Sequence, residues 1–207
     1  NLESKCIFNP LNTNEIKKLS QKKIKFKFFK KNTINIISVG RLVEQKDHMT
    51  VLKSLKYLKN KCNLRLLILG EGDQRETLLN YINRNKLNTM VKINRRINNP
   101  YPLIKRSDIL LLSSKFEGLP NVLLEALALN KFIISSNCPT GPKEILDNGK
   151  GGLLFEVGNY EQLSRKILIY QKNYKLCLKK KKYAQKRLIR FDYKRNLNKY
   201  FNLFKKL

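Results

Sequence analysis

The sequence predicts an α/β domain on a doubly wound parallel sheet, followed by a helical extension. Three observations carry this. Apolar runs at 34–39, 64–69, 109–112 and 132–135 lack in–out alternation and read as strands buried on both faces. Segments with apolar residues at helical spacing separate them, as the crossovers of a parallel sheet demand. Gly40, Gly70, Arg95 and Glu117 stand where strands stop, and ligands of such sheets sit beyond the carboxyl ends of the strands.

In chain order, the β-branched run at 34–39 ends at Gly40, and 49–58 reads as a helix through Met49, Leu52, Leu55 and Leu58. A strand at 64–69 leads to a helix at 76–85 carrying Leu78, Leu79 and Ile82, then to a short strand at 91–93. One helical turn at 102–106 precedes the strand at 109–112, a helix at 121–129, a strand at 132–135 and a closing strand at 152–155. From Glu161 onward the chain reads as helix, first through Leu163, Ile167 and Ile169, then through a basic stretch to Arg190. A final amphipathic helix carries Leu197, Tyr200, Phe201 and Phe204. The division expected is a poorly ordered, lysine-rich linker at 1–32, the sheet domain at 33–170 and basic helices at 171–207.

The 207 residues suffice for one domain with a core and not for two of this kind. The chain starts at Asn1 rather than Met and is expected to be part of a longer polypeptide. With 44 Lys and Arg against 15 Asp and Glu, the formal charge is +29, which invites a nucleic-acid reading. Lysine, however, accompanies abundant Asn and Ile through nearly every segment. The dense runs at 22–31 and 179–182 carry neither an RNA-binding aromatic signature nor a zinc-finger spacing. Nucleic acid is therefore not expected as a partner, whereas an anionic membrane surface is retained, since each basic residue near such a surface gains about 1 kcal/mol. Cys6, Cys62, Cys138 and Cys177 are widely spaced and read as reduced thiols, with Cys62 and Cys138 filling core; no metal site is expected. His48 reads as structural. No apolar run approaches the roughly 20 residues of a membrane span. The expected location is cytoplasmic, peripheral at the inner face of the membrane.

The chemistry concentrates at 116–126, Phe-Glu-Gly-Leu-Pro-Asn-Val-Leu-Leu-Glu-Ala. Pro120 suits the first helical position, and the N–H groups of Asn121, Val122 and Leu123 then form an anion site at a helix tip. Glu117 lies beside that tip and Glu125 about one turn behind it. Phosphate at the helix and a diol on each carboxylate describe a sugar nucleotide. Gly118 lacks a Cβ and permits close approach of a ligand. Gly70-Glu71-Gly72 is no dinucleotide fingerprint, because its third glycine position is Arg75.

The segment resembles the paired-glutamate signature of the retaining glycosyltransferases of family 4, group 1. Gly40-Arg41-Leu42 with Gln45-Lys46-Asp47, Leu69-Gly70-Glu71-Gly72, Asn99-Pro100-Tyr101-Pro102 with Ser107-Asp108, and Pro139-Thr140-Gly141-Pro142-Lys143-Glu144 resemble further elements of that family, in order, from about 33 to about 168. The resemblance implies a Rossmann-like fold, the C-terminal, donor-binding half of a GT-B enzyme, with the acceptor domain missing. It implies that Arg41 and Lys46 stabilise the departing diphosphate without a metal or other cofactor, and that Glu125 binds ribose. Glu117 and the backbone of Gly118, Leu119, Asn121 and Val122 around Pro120 would hold sugar and phosphate. Gly40 would lie beneath them, and the loop at Ile97 would hold the base, although arginines stand where the family has glycine. The donor implied is a UDP-sugar carrying a hexose or N-acetylhexosamine, the acceptor a surface glycan or lipid-linked saccharide. The final helix would cross onto the missing domain and so expose an apolar stripe. The rival reading is a decayed, non-catalytic basic module that binds membrane or nucleic acid; retention of Arg41, Lys46, Glu117 and Glu125 counts against it.

Overall fold

The computed structural model describes residues 7–205. Its elements are α1 (Thr13–Leu19), β1 (Ile34–Val39), α2 (His48–Leu58), β2 (Leu64–Leu69), α3 (Arg75–Arg84), β3 (Val91–Asn94), α4 (Tyr101–Arg106) and β4 (Ile109–Leu112), followed by α5 (Asn121–Ala128), β5 (Phe132–Ser136), α6 (Pro142–Ile145), β6 (Leu153–Phe155), α7 (Tyr160–Lys172), α8 (Tyr174–Arg187) and α9 (Tyr193–Phe204). Short 3₁₀ turns lie at Glu44–Lys46 and Leu188–Phe191.

The strands pair in parallel in the order β3-β2-β1-β4-β5-β6. The chain therefore winds outward from β1 to one edge, returns to the middle at β4 and winds to the other edge. Ile36 pairs with Ile109 and Ile37 with Leu110 where the direction reverses. Beyond the carboxyl ends of β1 and β4 the connections diverge to opposite faces, which opens a crevice.

Strand residues alternate between two cores. Ile36, Leu66, Ile68, Ile109, Leu111 and Ile134 face the layer of α2, α3 and α7. Ile37, Leu67, Leu110, Leu112 and Ile133 face that of α1, α4 and α5. With both faces covered, both sets are apolar, which explains why the runs show no in–out alternation. Each fully buried Leu or Ile contributes about 1.5–3 kcal/mol. The doubly wound α/β architecture with its helical extension is as the sequence predicts.

The stretch before β1 differs from expectation at residues 7–32, while 1–6 lie outside the described residues. Lys22, Lys23, Lys25 and Lys27 are exposed, yet Ile24, Phe26, Phe28 and Phe29 between and beside them pack on the apolar cluster beside α4. Arg106 donates to the Phe26 carbonyl at 2.8 Å and Arg65 to that of Phe28 at 2.8 Å. Leu11 donates to the Phe191 carbonyl, and Phe8 rests on the Phe191 ring. Apolar residues interleaved with lysine give this segment one dry side.

At the other end, Asn173 separates α7 from α8 and caps the latter through Leu176 N–H. On α9 only Asn196 is buried; Phe201, Leu203 and Phe204 are exposed and Leu197 and Tyr200 half-exposed, the apolar stripe foreseen.

The loops after β1 and β2 approach so closely that a Cβ on Gly70 would overlap the Gly40 carbonyl oxygen. Gly70→Ala is expected to lower unfolding stability by about 2–3 kcal/mol, measured by urea titration; an unchanged midpoint would show that these loops are not tightly packed.

Candidate functional site

Two connections build the centre of the crevice. After β1, Gly40 leads through an exposed Arg41 to the 3₁₀ turn, and Asp47, at φ 44°, caps α2 through Thr50 N–H. After β4, Ser113 and Ser114 lead through Glu117 and Gly118 to α5. The two meet directly: Lys46 Nζ lies 2.6 Å from Glu117 Oε1, with both side chains largely buried. Ser114 Oγ donates to the same oxygen at 2.5 Å. Among the described residues Glu117 Oε2 has no partner, so it stands available to accept from a hydroxyl. The aliphatic stem of Lys46 passes over Gly40.

Three hydrogen bonds to backbone carbonyls fix this meeting. Lys115 N–H donates to the Gln45 carbonyl at 2.8 Å, Gln45 Nε2 to the Phe116 carbonyl at 2.9 Å, and Ser113 Oγ to the Lys46 carbonyl at 2.7 Å. Arg41 reaches Gln45 at 3.4 Å and otherwise points outward. From the loop after β5, the Thr140 hydroxyl donates to the Glu117 carbonyl. A Cβ on Gly141 would strike the Gly118 carbonyl, and the φ of 59° there also favours glycine. Gly118 itself faces open space, so its missing side chain leaves room in the crevice rather than in the protein.

Helix α5 opens without a side-chain cap. Pro120 is its N-cap rather than its first helical residue, with φ −71° set by the ring. The N–H groups of Asn121 and Val122 have no partner among the described residues. Leu123 N–H, expected to be free, instead donates to the Pro120 carbonyl at 3.0 Å, because the first turn tightens to an i→i+3 bond. The anion-binding tip therefore has two free donors.

Glu125 lies one turn further on. It accepts from Tyr101 Oη at 3.3 Å and borders a small cavity with Leu11, Asn12, Glu15 and Asn121. Burial pushes its carboxyl above the usual range, with the Tyr101 bond opposing, and the Tyr101 hydroxyl is itself pushed up to about 12 by burial and the neighbouring carboxylate. Ile97, after β3, is half-buried against the cluster that holds Leu119 and Val122. The structure thus joins Gly40, Lys46 and Glu117 directly, sets 118–122 beside them, and ties Glu125 to α4 instead.

His48 is buried beneath the β1 connection, as a structural residue should be. Its Nε2–H donates to the Arg41 carbonyl at 3.3 Å, and Nδ1 accepts from Ser38 Oγ at 3.5 Å. Burial lowers its pKa to about 4. Cys62, Cys138 and Cys177 are free thiols, the last two buried. Among the described residues no group of three or more His, Cys, Asp or Glu gathers, and no helix is long and apolar enough to cross a membrane.

Sequence reasoning missed Ser114, Thr140, Gln45 and the role of Tyr101. Gln45, Tyr101 and Thr140 stood inside quoted sequence elements but carried no sign of their partners, and Ser114 stood in none; the fold alone brings them to backbone or carboxylate groups.

A doubly wound sheet with cations, an open helix tip and carboxylates at its switch point defines a class of proteins that hold anionic, hydroxyl-bearing ligands. Comparison with known proteins narrows the class. Residues 20–187 match the family described as Glycosyl transferases group 1, and the chain belongs to it. It is 35% identical over 147 residues to the uncharacterized glycosyltransferase MJ1059 of Methanocaldococcus jannaschii, covering 70% of this chain and 36% of that protein. It is 32% identical over 157 residues to N-acetylgalactosamine-N,N'-diacetylbacillosaminyl-diphospho-undecaprenol 4-alpha-N-acetylgalactosaminyltransferase of Campylobacter jejuni, covering 76% and 42%. The chain thus spans less than half the length of these two relatives. Among solved structures, Anabaena HepE in complex with UDP and glucose superposes with TM-score 0.85 at 19% identity, over 98% of this chain and 57% of that one. A glycosyltransferase from Rickettsia africae gives 0.82 at 21%, over 97% and 56%. The fold is that of half a GT-B glycosyltransferase.

The depressed His48 pKa makes stability pH-dependent. Below pH 6.5 the unfolded chain takes up a proton that the folded chain refuses until about pH 4, so stability falls as the pH falls through that window. The full difference is about 3 kcal/mol. Relative to His48→Gln, the wild-type chain is expected to lose stability in urea between pH 7 and pH 4; parallel curves would contradict a buried neutral imidazole.

Proposed function

We propose that this chain is the donor-binding half of a retaining glycosyltransferase that moves a hexose or N-acetylhexosamine from a UDP-sugar to a surface-glycan or lipid-linked acceptor. The observation that carries the reading is the Lys46–Glu117 pair beside the open tip of α5. It sets a cation and a carboxylate, its second oxygen unpartnered among the described residues, next to two free backbone donors. Diphosphate at the helix tip would be met by Lys46, a point charge, and by Arg41, whose planar fork is free to swing inward. Both cations oppose the charge that grows on the leaving diphosphate, which is how such a site lowers the barrier. No metal is assigned a part. Glu117 Oε2 accepts from the sugar and Glu125 from the ribose, while the Ile97 loop flanks the base. Retention rests on the likeness of 116–126 to the paired-glutamate motif. The UDP donor is supported by the ligands named for the structural neighbours, and the lipid-linked acceptor by the name of the Campylobacter jejuni relative.

The acceptor side of the crevice would come from a further domain, which the exposed stripe of α9 would meet. By itself the 207-residue chain should bind donor and transfer little.

Calorimetry with UDP, UDP-glucose and uridine tests the reading. Glu125→Gln is expected to weaken UDP and UDP-glucose alike, and Glu117→Gln to weaken UDP-glucose while sparing UDP, each by about 1.5–3 kcal/mol. Arg41→Ala should weaken UDP and leave uridine unchanged, and EDTA should alter none of these affinities. Equal losses for every ligand in every variant, or UDP binding that requires added metal, would overturn the assignment.

A further inference from the structure

The positive charge is far less even than the composition suggests. Residues 162–207 hold 16 Lys and Arg against one acid, Asp192, whereas residues 34–161 hold 19 against 12. Asp192 is occupied in capping α9 through Arg195 N–H. The excess is also arranged in space. Helix α8 buries Cys177 and Ala184, and at 100° per residue the opposite pole is formed by Lys175, Lys179, Lys182 and Lys186. All four are exposed, and none has an ion-pair partner among the described residues. They form one line roughly 16 Å long. The run at 179–182 splits accordingly: Lys180 turns inward to the Gly149 carbonyl at 2.5 Å and Lys181 is half-buried, while Lys179 and Lys182 point out.

Apolar side chains flank the line. Leu178 and Tyr183 share a shallow groove with the four lysines, and Tyr174 and Leu176, 66% and 36% exposed, stand on either side of Lys175. We infer that this face of α8 is a docking surface for an anionic lipid bilayer, the lysines meeting headgroup phosphates and the apolar flanks entering the boundary beneath them. Charge complementarity selects that occupant, since basic side chains near anionic headgroups are each favourable and long lysine stems lie readily along an apolar boundary. The line is all lysine and lacks the arginine fork that reads bases and bidentate phosphates, so it suits a diffuse array of charges better than a nucleic acid.

The placement leaves the crevice accessible. Gln185 of α8 donates to the Leu127 carbonyl at the C-terminal end of α5, and the crevice opens at the other end of that helix. A bilayer beneath α8 would hold the domain at the surface without covering the donor. The inference rests on charge and geometry and stands apart from the donor assignment, which UDP-glucose binding reports separately.

The test is flotation of the 207-residue chain with vesicles of equal phosphatidylglycerol and phosphatidylcholine, and with phosphatidylcholine alone, at 0.1 M salt. Replacing Lys175, Lys179, Lys182 and Lys186 with Gln is expected to lower partitioning onto anionic vesicles at least about thirtyfold, on the basis of the usual gain per basic residue. Replacing Lys22, Lys23, Lys25 and Lys27 with Gln removes the same charge elsewhere and should lower it less than about threefold. Replacing the α8 four with Arg should preserve it, which separates lost charge from a misfolded helix. The inference is overturned if the wild-type chain ignores anionic vesicles, if both Gln variants lose equally, or if duplex RNA binds more tightly through the same four lysines.

Discussion

The contact between Lys46 and Glu117 is the constraint on which the rest of the site depends. The two residues stand 71 positions apart in sequence and follow the two strands at which the sheet reverses its winding. A crevice at a switch point exists because the two connections part, and its width is set only if something holds them at a fixed separation. Here an ion pair with little solvent access does so, and Ser114 fixes the carboxylate from the other side. An uncompensated charge in such a place is costly, so each partner restricts where the other can go.

Neutral groups support the pair from behind. Gln45, Ser113 and Lys115 join the two connections through backbone carbonyls and amides, Thr140 ties in the loop after β5, and His48 holds the Arg41 carbonyl from the core side. The Arg41 side chain touches this lattice only at Gln45, at 3.4 Å. That contrast gives the two cations different characters: Lys46 is preorganised, whereas Arg41 is free to follow a ligand. Glu125 is a third case, a carboxyl half-withdrawn from water on the far side of the helix tip and held by a tyrosine of α4.

Most of the architecture was legible because it follows from local patterning. Strands buried on both faces must be largely apolar, and the runs at 34–39, 64–69 and 109–112 coincide with β1, β2 and β4. That Gly40, Lys46, Glu117 and the loop leading to α5 come together was legible because strand ends in a parallel sheet gather at one edge. The partners of these residues were not legible. Ser114, Thr140 and Gln45 are ordinary polar residues whose significance arises only when loops distant in sequence are brought together. The early segment was misread for a related reason: its lysines dominate the composition, while the packing depends on the four apolar residues between and beside them. The evenness of the charge was misjudged because total counts hide that a helix can sort its lysines onto a single pole.

The central claim is that Lys46 and Glu117 act as a unit in holding the donor, and a double-mutant cycle tests it most directly. UDP-glucose affinity would be measured by calorimetry for the wild-type chain, Lys46→Met, Glu117→Gln and the double variant. If the pair is the unit that shapes the crevice, the double variant loses little more than the worse single one, and the coupling exceeds about 1 kcal/mol. Losses that add to within about 0.3 kcal/mol would show that the two side chains act independently and that the contact between them does not organise the site.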